Sequence, residues 1–148
     1  MSPSAFSEDQ LVEQPAIQLF AELGWETLSA ADEVVGVGIL PHPSLKGERI
    51  YLGREFKSEV VLVARLRTVL ERLNSTLPIE AIASAVDELS RDRSAMTPAA
   101  ANRELWQLMR DGVKVSVSNK EKGGVKAERV RVVDWDNPAS NDFLLISQ

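Results

Sequence analysis

The sequence lacks cysteine and has a single histidine, His42, among its 148 residues. Without cysteine the chain has no disulfide framework and no thiolate ligands, and one histidine is too few for a zinc site. His42 lies between two prolines and no GxSxG motif is present, which argues against a histidine-activated serine nucleophile. A chain without cysteine is compatible with a reducing cytoplasm.

Long apolar runs are also missing. No segment is long and uncharged enough to cross a bilayer, and the first ten residues lack the basic start and apolar stretch of a signal peptide. The sequence therefore predicts a cytoplasmic protein without membrane contact. It also lacks the glycine-rich loops that bind nucleotide phosphates or dinucleotides, and we expect these 148 residues to bind no cofactor tightly.

The composition that remains is typical of a globular protein, with 44% apolar and 26% charged residues. The net charge of −5 argues against a free-standing nucleic-acid binder. Cations are nevertheless concentrated in what we call the basic strip: Arg110, Lys114, Lys120, Lys122, Lys126, Arg129 and Arg131. Two interpretations are open, a surface that faces DNA phosphates and the solvated side of a hairpin.

Helical patterns dominate most of the chain. Capping residues and the 3.6-residue spacing of apolar side chains predict helices over 7–24, 55–73, 78–89 and 97–111, with a turn at 74–76. Thr97 is the predicted N-cap of the last helix and Gly112 its predicted stop. The apolar positions predicted to face inward are Ile79, Ile82, Val86 and Leu89 in the third helix and Ala101, Leu105, Leu108 and Met109 in the fourth. Pro15 predicts a break or a kink within the first helix, because proline cannot donate a backbone hydrogen bond.

The apolar spacing becomes that of strands after Gly112. Valines alternate with polar residues over 113–117, a turn is predicted at 122–124, and a valine-rich return strand is predicted around 130–133. Residues 34–40 are apolar enough for another strand, and 143–146 form a last apolar run. The pattern predicts an α/β fold in one domain over residues 1–148, with a helical N-terminal layer before the strands. The final strand has an edge that nothing left in the sequence can cover and is expected to be unpaired, which indicates a truncated domain.

One triplet has the Glu-x-Lys spacing of magnesium-dependent nucleases, Glu55-Phe56-Lys57. In such enzymes carboxylates hold the ion and the lysine acts near the scissile phosphate. The triplet opens a predicted helix rather than lying on a strand, and we interpret it as non-catalytic. Asp134 and Asp136 follow a strand, but no lysine occurs after Lys126 to complete their set. The residues alone therefore do not predict a complete nuclease.

Five phrases occur in order along nearly the whole chain. They are SEDQLVEQPAIQLFAELGWE at 7–26, LGRE at 52–55, LRTVLERLNSTLP at 66–78, ANRELWQLMRDGVKV at 101–115 and VRVVDWDNPASNDFLLISQ at 130–148. Together they resemble the N-terminal region of the restriction (R, HsdR) subunit of type I restriction enzymes.

The resemblance implies a PD-(D/E)xK nuclease domain, of which this chain would supply the helical layer and the first strands of the sheet. In that family the subunit cleaves unmethylated foreign DNA with ATP-dependent translocation. The metal-binding Asp and the Glu-x-Lys pair would lie beyond Gln148, which predicts that the isolated chain is inactive. The implied cofactors are Mg²⁺ and ATP for the full subunit, and the implied partners are double-stranded DNA and the modification and specificity subunits.

The resemblance also implies that two acidic residues of the first helix, Glu8 and Glu13, lie near the metal site of such a nuclease. Glu13 is the candidate metal ligand and Glu8 a supporting residue. The alternative is that both are helix-start carboxylates favoured by the helix dipole. For the chain as a whole, the alternatives are a non-catalytic docking or DNA-binding module of a restriction complex and an unrelated cytoplasmic regulator.

Overall fold

The computed structural model describes residues 7–36, 50–119 and 121–147. The chain divides into two compact units. The terminal unit combines Met1–Ser58 with Asp142–Gln148, and the central unit spans Glu59–Asn141. Each is smaller than the predicted domain over residues 1–148, which stays a prediction.

The terminal unit begins with a helix near the residue that the sequence predicts. The Ser7 hydroxyl accepts a hydrogen bond from the Gln10 amide at 3.4 Å. The predicted break takes the form of a π-helical turn, Asp9–Glu13, that leads into helix α1, Gln14–Glu22. Pro15 lies at the start of α1, directly after the π-helical turn, so its missing amide donor falls where the helical hydrogen-bond pattern changes.

Two short strands of the terminal unit pair in parallel, β1 (Glu26–Ser29) and β4 (Leu144–Ser147). The strand predicted from the last apolar run is confirmed. The expectation that it is unpaired is wrong, because β1 pairs with one of its edges along the whole length. No strand in the described part of the chain pairs with its other edge, and the truncation stays a prediction. The sequence did not predict β1, since its four residues include a single apolar side chain, Leu28.

An aromatic stack and an ion pair hold the terminal unit together. The rings of Phe20 and Trp25 lie 4.6 Å apart, and those of Trp25 and Phe143 stack at 4.7 Å. The Arg54 guanidinium binds both carboxylate oxygens of Glu33, with an Nε–Oε1 distance of 2.8 Å. The Glu33 side chain is only 2% exposed, and the hydrogen bonds from Arg54 are the main reason that its pKa lies below the ordinary value.

The segment that contains Arg54 corrects one prediction. The helix predicted from residue 55 begins at Val63, and residues 55–58 form a bend and a turn. Arg54 also donates to the Lys57 carbonyl at 3.2 Å, a contact that favours the turn and that sequence periodicity does not reveal. The strand predicted over 34–40 is absent at 34–36, and its remainder lies outside the described residues.

The central unit contains helices α2 (Val63–Leu73) and α3 (Ile79–Ser90), which pack against each other and against the hairpin. Most of the predicted apolar stripe of α3 is buried. The prediction that Ile79 faces inward is wrong, because this residue is 72% exposed. The buried apolar side chains of the described residues are Leu70, Ala81, Ile82, Ala85, Val86, Leu89, Val113, Val115, Val117 and Val130. All of them belong to this unit.

Helix α4, Pro98–Asp111, follows a connector fixed by Arg93. The Arg93 side chain is 7% exposed and donates to a Glu104 carboxylate oxygen at 2.8 Å. Thr97 caps α4 as predicted, since its hydroxyl accepts from the Ala100 amide. Met109 was predicted to face inward but is 40% exposed.

Strands β2 (Val113–Ser118) and β3 (Val125–Val130) form the predicted antiparallel hairpin. The three valines of β2 are buried and its polar residues are exposed, as the alternation predicts. β3 ends at Val130, so the return strand is displaced toward the turn and Val133 lies outside it. The predicted α/β class is confirmed at the level of mixed helices and strands. The described strands form two separate two-stranded sheets. No helix in the described part of the chain is long and apolar enough to cross a membrane.

Candidate nucleic-acid interface

A cleft of about 490 Å³ opens in the central unit. Its walls come from the turn after α2, the C-terminal end of α4 and the segment that follows β3. Polar and charged side chains of the lining are Asn74, Ser75, Thr76, Arg110, Asp111, Arg129, Arg131 and Asp136, with Trp135 beside them. Three members of the basic strip therefore meet at one concave surface.

Asn74 fixes the wall that carries Arg131. Its side-chain amide donates to the carbonyl oxygens of Leu70 and Arg131, at 2.8 and 2.9 Å. Its side-chain oxygen accepts from the Arg131 amide at 2.8 Å. Asn74 is buried, so these bonds hold the segment after β3 against the end of α2 without a further strand.

Gly112 joins α4 to β2 where the backbones come closest. Its φ is +78°, and a Cβ at this position would lie 2.7 Å from the Val130 carbonyl oxygen. Only glycine combines this conformation with this close approach. The sequence identified Gly112 as a helix stop. The structure shows that it also places Arg110 and Asp111 at the rim of the cleft.

Two arginines at this rim donate hydrogen bonds to Asp111. Arg110 makes two hydrogen bonds of 2.7 Å to the Asp111 carboxylate, and Arg129 donates to the Asp111 carbonyl oxygen. The hydrogen bonds from Arg110 are the main reason that the pKa of Asp111 lies below its ordinary value, with smaller electrostatic contributions from Arg110, Arg129 and Lys114. The same contact raises the pKa of Arg110. With these shifts Arg110 and Asp111 both stay charged over the physiological range.

Arg131 and the segment beyond it complete the cleft. Arg131 lies 3.4 Å from the Asp134 carboxylate, and more than half of its side chain is exposed. Asp134 accepts hydrogen bonds from the Asp136 and Asn137 amides, at 3.2 and 3.1 Å, which makes it a turn residue. Asp134 thus has structural partners within its own turn.

The remaining cations of the basic strip do not share one face. In the hairpin register Lys114 lies opposite Arg129, and Lys126 lies opposite Val117, whose side chain is buried. Side chains of directly opposed residues point to the same face of the sheet, so Lys114 and Lys126 lie on opposite faces. Lys126 also pairs with Glu128 at 2.5 Å. The strip is therefore not one continuous surface.

The other strip lysines lie at the tip of the hairpin. Lys122 is exposed in the turn before β3, and Lys120 lies outside the described residues. A DNA-binding role for Lys114, Lys120, Lys122, Lys126, Arg129 and Arg131 stays a prediction, which the cleft favours for Arg129 and Arg131.

Two exposed tryptophans beside the cleft were missed by sequence reasoning. Trp106 of α4 and Trp135 are 50% and 54% exposed, and their rings meet edge to face at 6.0 Å. Met109, one turn after Trp106, is exposed on the same helix. The available signal was the placement of Trp106 between the predicted inward positions 105 and 108.

The acidic candidates lie in the terminal unit. Glu8 is exposed at the start of the first helix, and Glu13 is half-buried at the end of the π-helical turn. No group of three or more carboxylate or histidine side chains gathers around a point within the described residues. The roles of Glu13 and Glu8 at a metal site stay predictions. The Glu55-Phe56-Lys57 triplet lies in a turn, off any strand.

Comparison with known proteins shows which family the chain resembles. The family described as Type I restriction enzyme R protein N terminus matches residues 5–148. The Type I restriction enzyme HindI endonuclease subunit of Haemophilus influenzae is 30% identical over 137 residues, which are 93% of this chain and 12% of that protein. No solved structure matches the chain significantly. The chain belongs to the family of type I restriction enzyme R protein N termini.

Proposed function

We propose that the chain contributes the N-terminal part of the endonuclease domain of a type I restriction enzyme R subunit. The observation that carries this proposal is the family match over residues 5–148, together with a relative named as an endonuclease subunit. The chain spans 12% of that relative, so the activity of the whole subunit is part of the proposal. That activity is cleavage of unmethylated DNA coupled to ATP-driven translocation, in the cytoplasm.

In this proposal the terminal unit is the start of a PD-(D/E)xK nuclease sheet. Its parallel pair of strands, β1 and β4, is preceded by α1, which contacts both. A metal-binding Asp and a Glu-x-Lys pair would come from a part of the subunit outside these 148 residues. Glu13 would support the Mg²⁺ ion that such residues bind, with Glu8 nearby in the sequence, and ATP would bind elsewhere in the subunit.

Duplex DNA and the modification and specificity subunits are the proposed partners. Arg129 and Arg131 are the strip residues best placed to meet a phosphate, because both residues line one concave surface and a guanidinium can bind phosphate with two hydrogen bonds. A contact of this kind positions DNA without reading its sequence, which agrees with a separate subunit for specificity.

The test is a chimera. This chain replaces the matched 137-residue segment of the HindI endonuclease subunit, which is then assembled with its partner subunits. We expect ATP- and Mg²⁺-dependent cleavage of unmethylated plasmid DNA. A chimera that folds and assembles but does not cleave, although the parent subunit does, contradicts the proposal.

Two controls separate the endonuclease proposal from a non-catalytic docking or DNA-binding module. Glu13→Gln in the chimera should reduce cleavage more than assembly, whereas Glu22→Gln at the other end of α1 should leave both unchanged. The isolated 148-residue chain should not cleave plasmid DNA with Mg²⁺, with or without ATP. Metal-dependent nicking that Glu55→Gln abolishes would instead assign the chemistry to the Glu-x-Lys triplet of this chain.

A further inference from the structure

We propose that the cleft of the central unit binds nucleic acid with unpaired bases, the phosphates on its arginines and a base on Trp135. This inference rests on the proposed function, since it assigns a form of DNA to a surface of the same domain. It goes beyond that function because duplex DNA keeps its base faces covered by stacking and cannot use the exposed indole in this way.

The first observation is the exposure of two large aromatic rings. Indole is mostly apolar, and a pair of tryptophans that are each about half exposed is unusual on a soluble protein surface. Their edge-to-face contact limits the motion of both rings and leaves other ring surface open to solvent. Every base has a π face, so such a ring is a sequence-tolerant stacking platform.

The second observation is the charge beside these rings. The cleft that Trp135 lines also contains three arginines, against the two aspartates Asp111 and Asp136. A guanidinium has five N–H donors in a planar fork. Both partners of the Arg110–Asp111 pair are about half exposed, and the Arg131 side chain is 54% exposed although its partner Asp134 is largely enclosed. An exposed pair contributes little to stability, so a phosphate can replace Asp111 beside Arg110 at small cost. Arginines beside the exposed rings therefore favour an anionic ligand over an apolar protein partner.

The third observation is the rigidity of the frame. The side chain of Asn74 fixes the backbone of Arg131. The close approach of Gly112 to the Val130 carbonyl fixes the end of α4 that carries Arg110. The volume of about 490 Å³ falls within the range of sites for small ligands, about 300–1,000 Å³. A site on fixed backbone loses less entropy when it binds a flexible single strand.

The experiment uses the 148-residue chain and a labelled oligothymidylate of about 15 nucleotides, with a duplex of equal length for comparison, at about 50 mM salt. Fluorescence anisotropy gives the affinities, and tryptophan emission reports stacking. We expect tighter binding of the single strand, accompanied by quenching. Trp135→Ala should weaken single-strand binding by about fivefold to a hundredfold, and Trp135→Phe should retain most of it.

Matched controls test whether position matters. Phe56→Ala removes an aromatic ring that is 64% exposed in the terminal unit, and Lys122→Gln removes a cation at the hairpin tip. Each should change single-strand binding less than Trp135→Ala and Arg131→Gln do. Far-UV circular dichroism should show that the Trp135 variants remain folded, as expected for a half-exposed side chain.

Three results would overturn the inference. The first is equal binding of single strand and duplex that Trp135→Ala does not change, a result that leaves the endonuclease proposal standing. The second is absence of single-strand binding by the folded chain. The third is a chimera in which Trp135→Ala blocks assembly with the partner subunits while single-strand binding persists, because the cleft is then a protein interface. Loss of cleavage in the unmodified chimera concerns the proposed function and not this cleft.

Discussion

The two units of the molecule achieve stability by different means. The central unit has a core of ten buried apolar residues, whereas no apolar residue among those described in the terminal unit is buried. The terminal unit depends instead on the stack of Phe20, Trp25 and Phe143 and on the enclosed ion pair of Glu33 and Arg54. Apolar burial tolerates small rearrangements, but an enclosed charge needs its partner in place.

The largest effect is therefore expected from Arg54→Met, which leaves the Glu33 carboxylate enclosed without its partner. Breaking such a pair by removing one side typically costs about 3–5 kcal/mol. Hydrogen exchange followed by mass spectrometry should show lost protection at β1 and β4 while β2 keeps its protection. Equal loss in both units would mean that they unfold as one. Arg110→Met, which removes an exposed partner, is the matched control and should change little.

Leu70→Ala should produce the opposite pattern. Leu70 is fully buried, and truncating a core leucine costs about 2–5 kcal/mol through lost burial and the cavity that remains. We expect faster exchange across β2 and α3 and an earlier denaturant midpoint for the central unit. Leu19→Ala, at a leucine of α1 that is 54% exposed, should stay within about 0.5 kcal/mol. A larger effect at Leu19 than at Leu70 would reverse the comparison.

Asn74→Ala should have a smaller effect, about 1–3 kcal/mol, because the variant leaves the Arg131 amide and carbonyl without this side-chain partner. It should also loosen the cleft, so exchange at the Arg131 amide should increase more than exchange in β2. Asn102→Ala, on the exposed side of α4, is the control. Unchanged exchange at Arg131 would show that the segment after β3 is held by other contacts.

Lowering the pH is expected to have the smallest effect on the stability of the terminal unit. The pKa of Glu33 is lowered in the folded state, so its contribution to stability is present at neutral pH and is lost as the pH falls through this lowered value. The terminal unit should lose hydrogen-exchange protection below the ordinary glutamate range, and Glu33→Gln should remove much of this dependence. If the Gln variant retains the full dependence, other carboxylates are responsible.

Elements with local signals could be predicted from sequence, and those that depend on distant partners could not. Thr97 and Gly112 mark the limits of α4 because capping and left-handed backbone are properties of single residues. The valine alternation of β2 likewise reflects the burial of one face. By contrast, β1 has few apolar residues and forms because β4 provides its hydrogen-bond partners.

The candidate site follows the same division. The concentration of cations in the basic strip is a property of the sequence, but their distribution over two faces depends on the hairpin register. The meeting of Arg110, Arg129 and Arg131 depends on Asn74 and on the close approach at Gly112. Asn74 looked like an ordinary turn residue, because nothing local shows that its side chain reaches a segment 57 positions away.

The parallel pairing of β1 with β4 sets an order of events during synthesis. The Ser147 hydroxyl donates to the Leu28 carbonyl oxygen across 119 positions of sequence, and the whole central unit lies between these residues. Residues 59–141 of a growing chain can therefore fold before β4 leaves the ribosome. During that time β1 has no strand partner, and its aromatic neighbours stay exposed. Early collapse of the central unit shortens the loop that remains to be closed, which lowers the entropic cost of the late pairing. The nascent chain is thus most open to chaperones, and to mispairing of β1 with other chains, in the interval before residue 144 emerges.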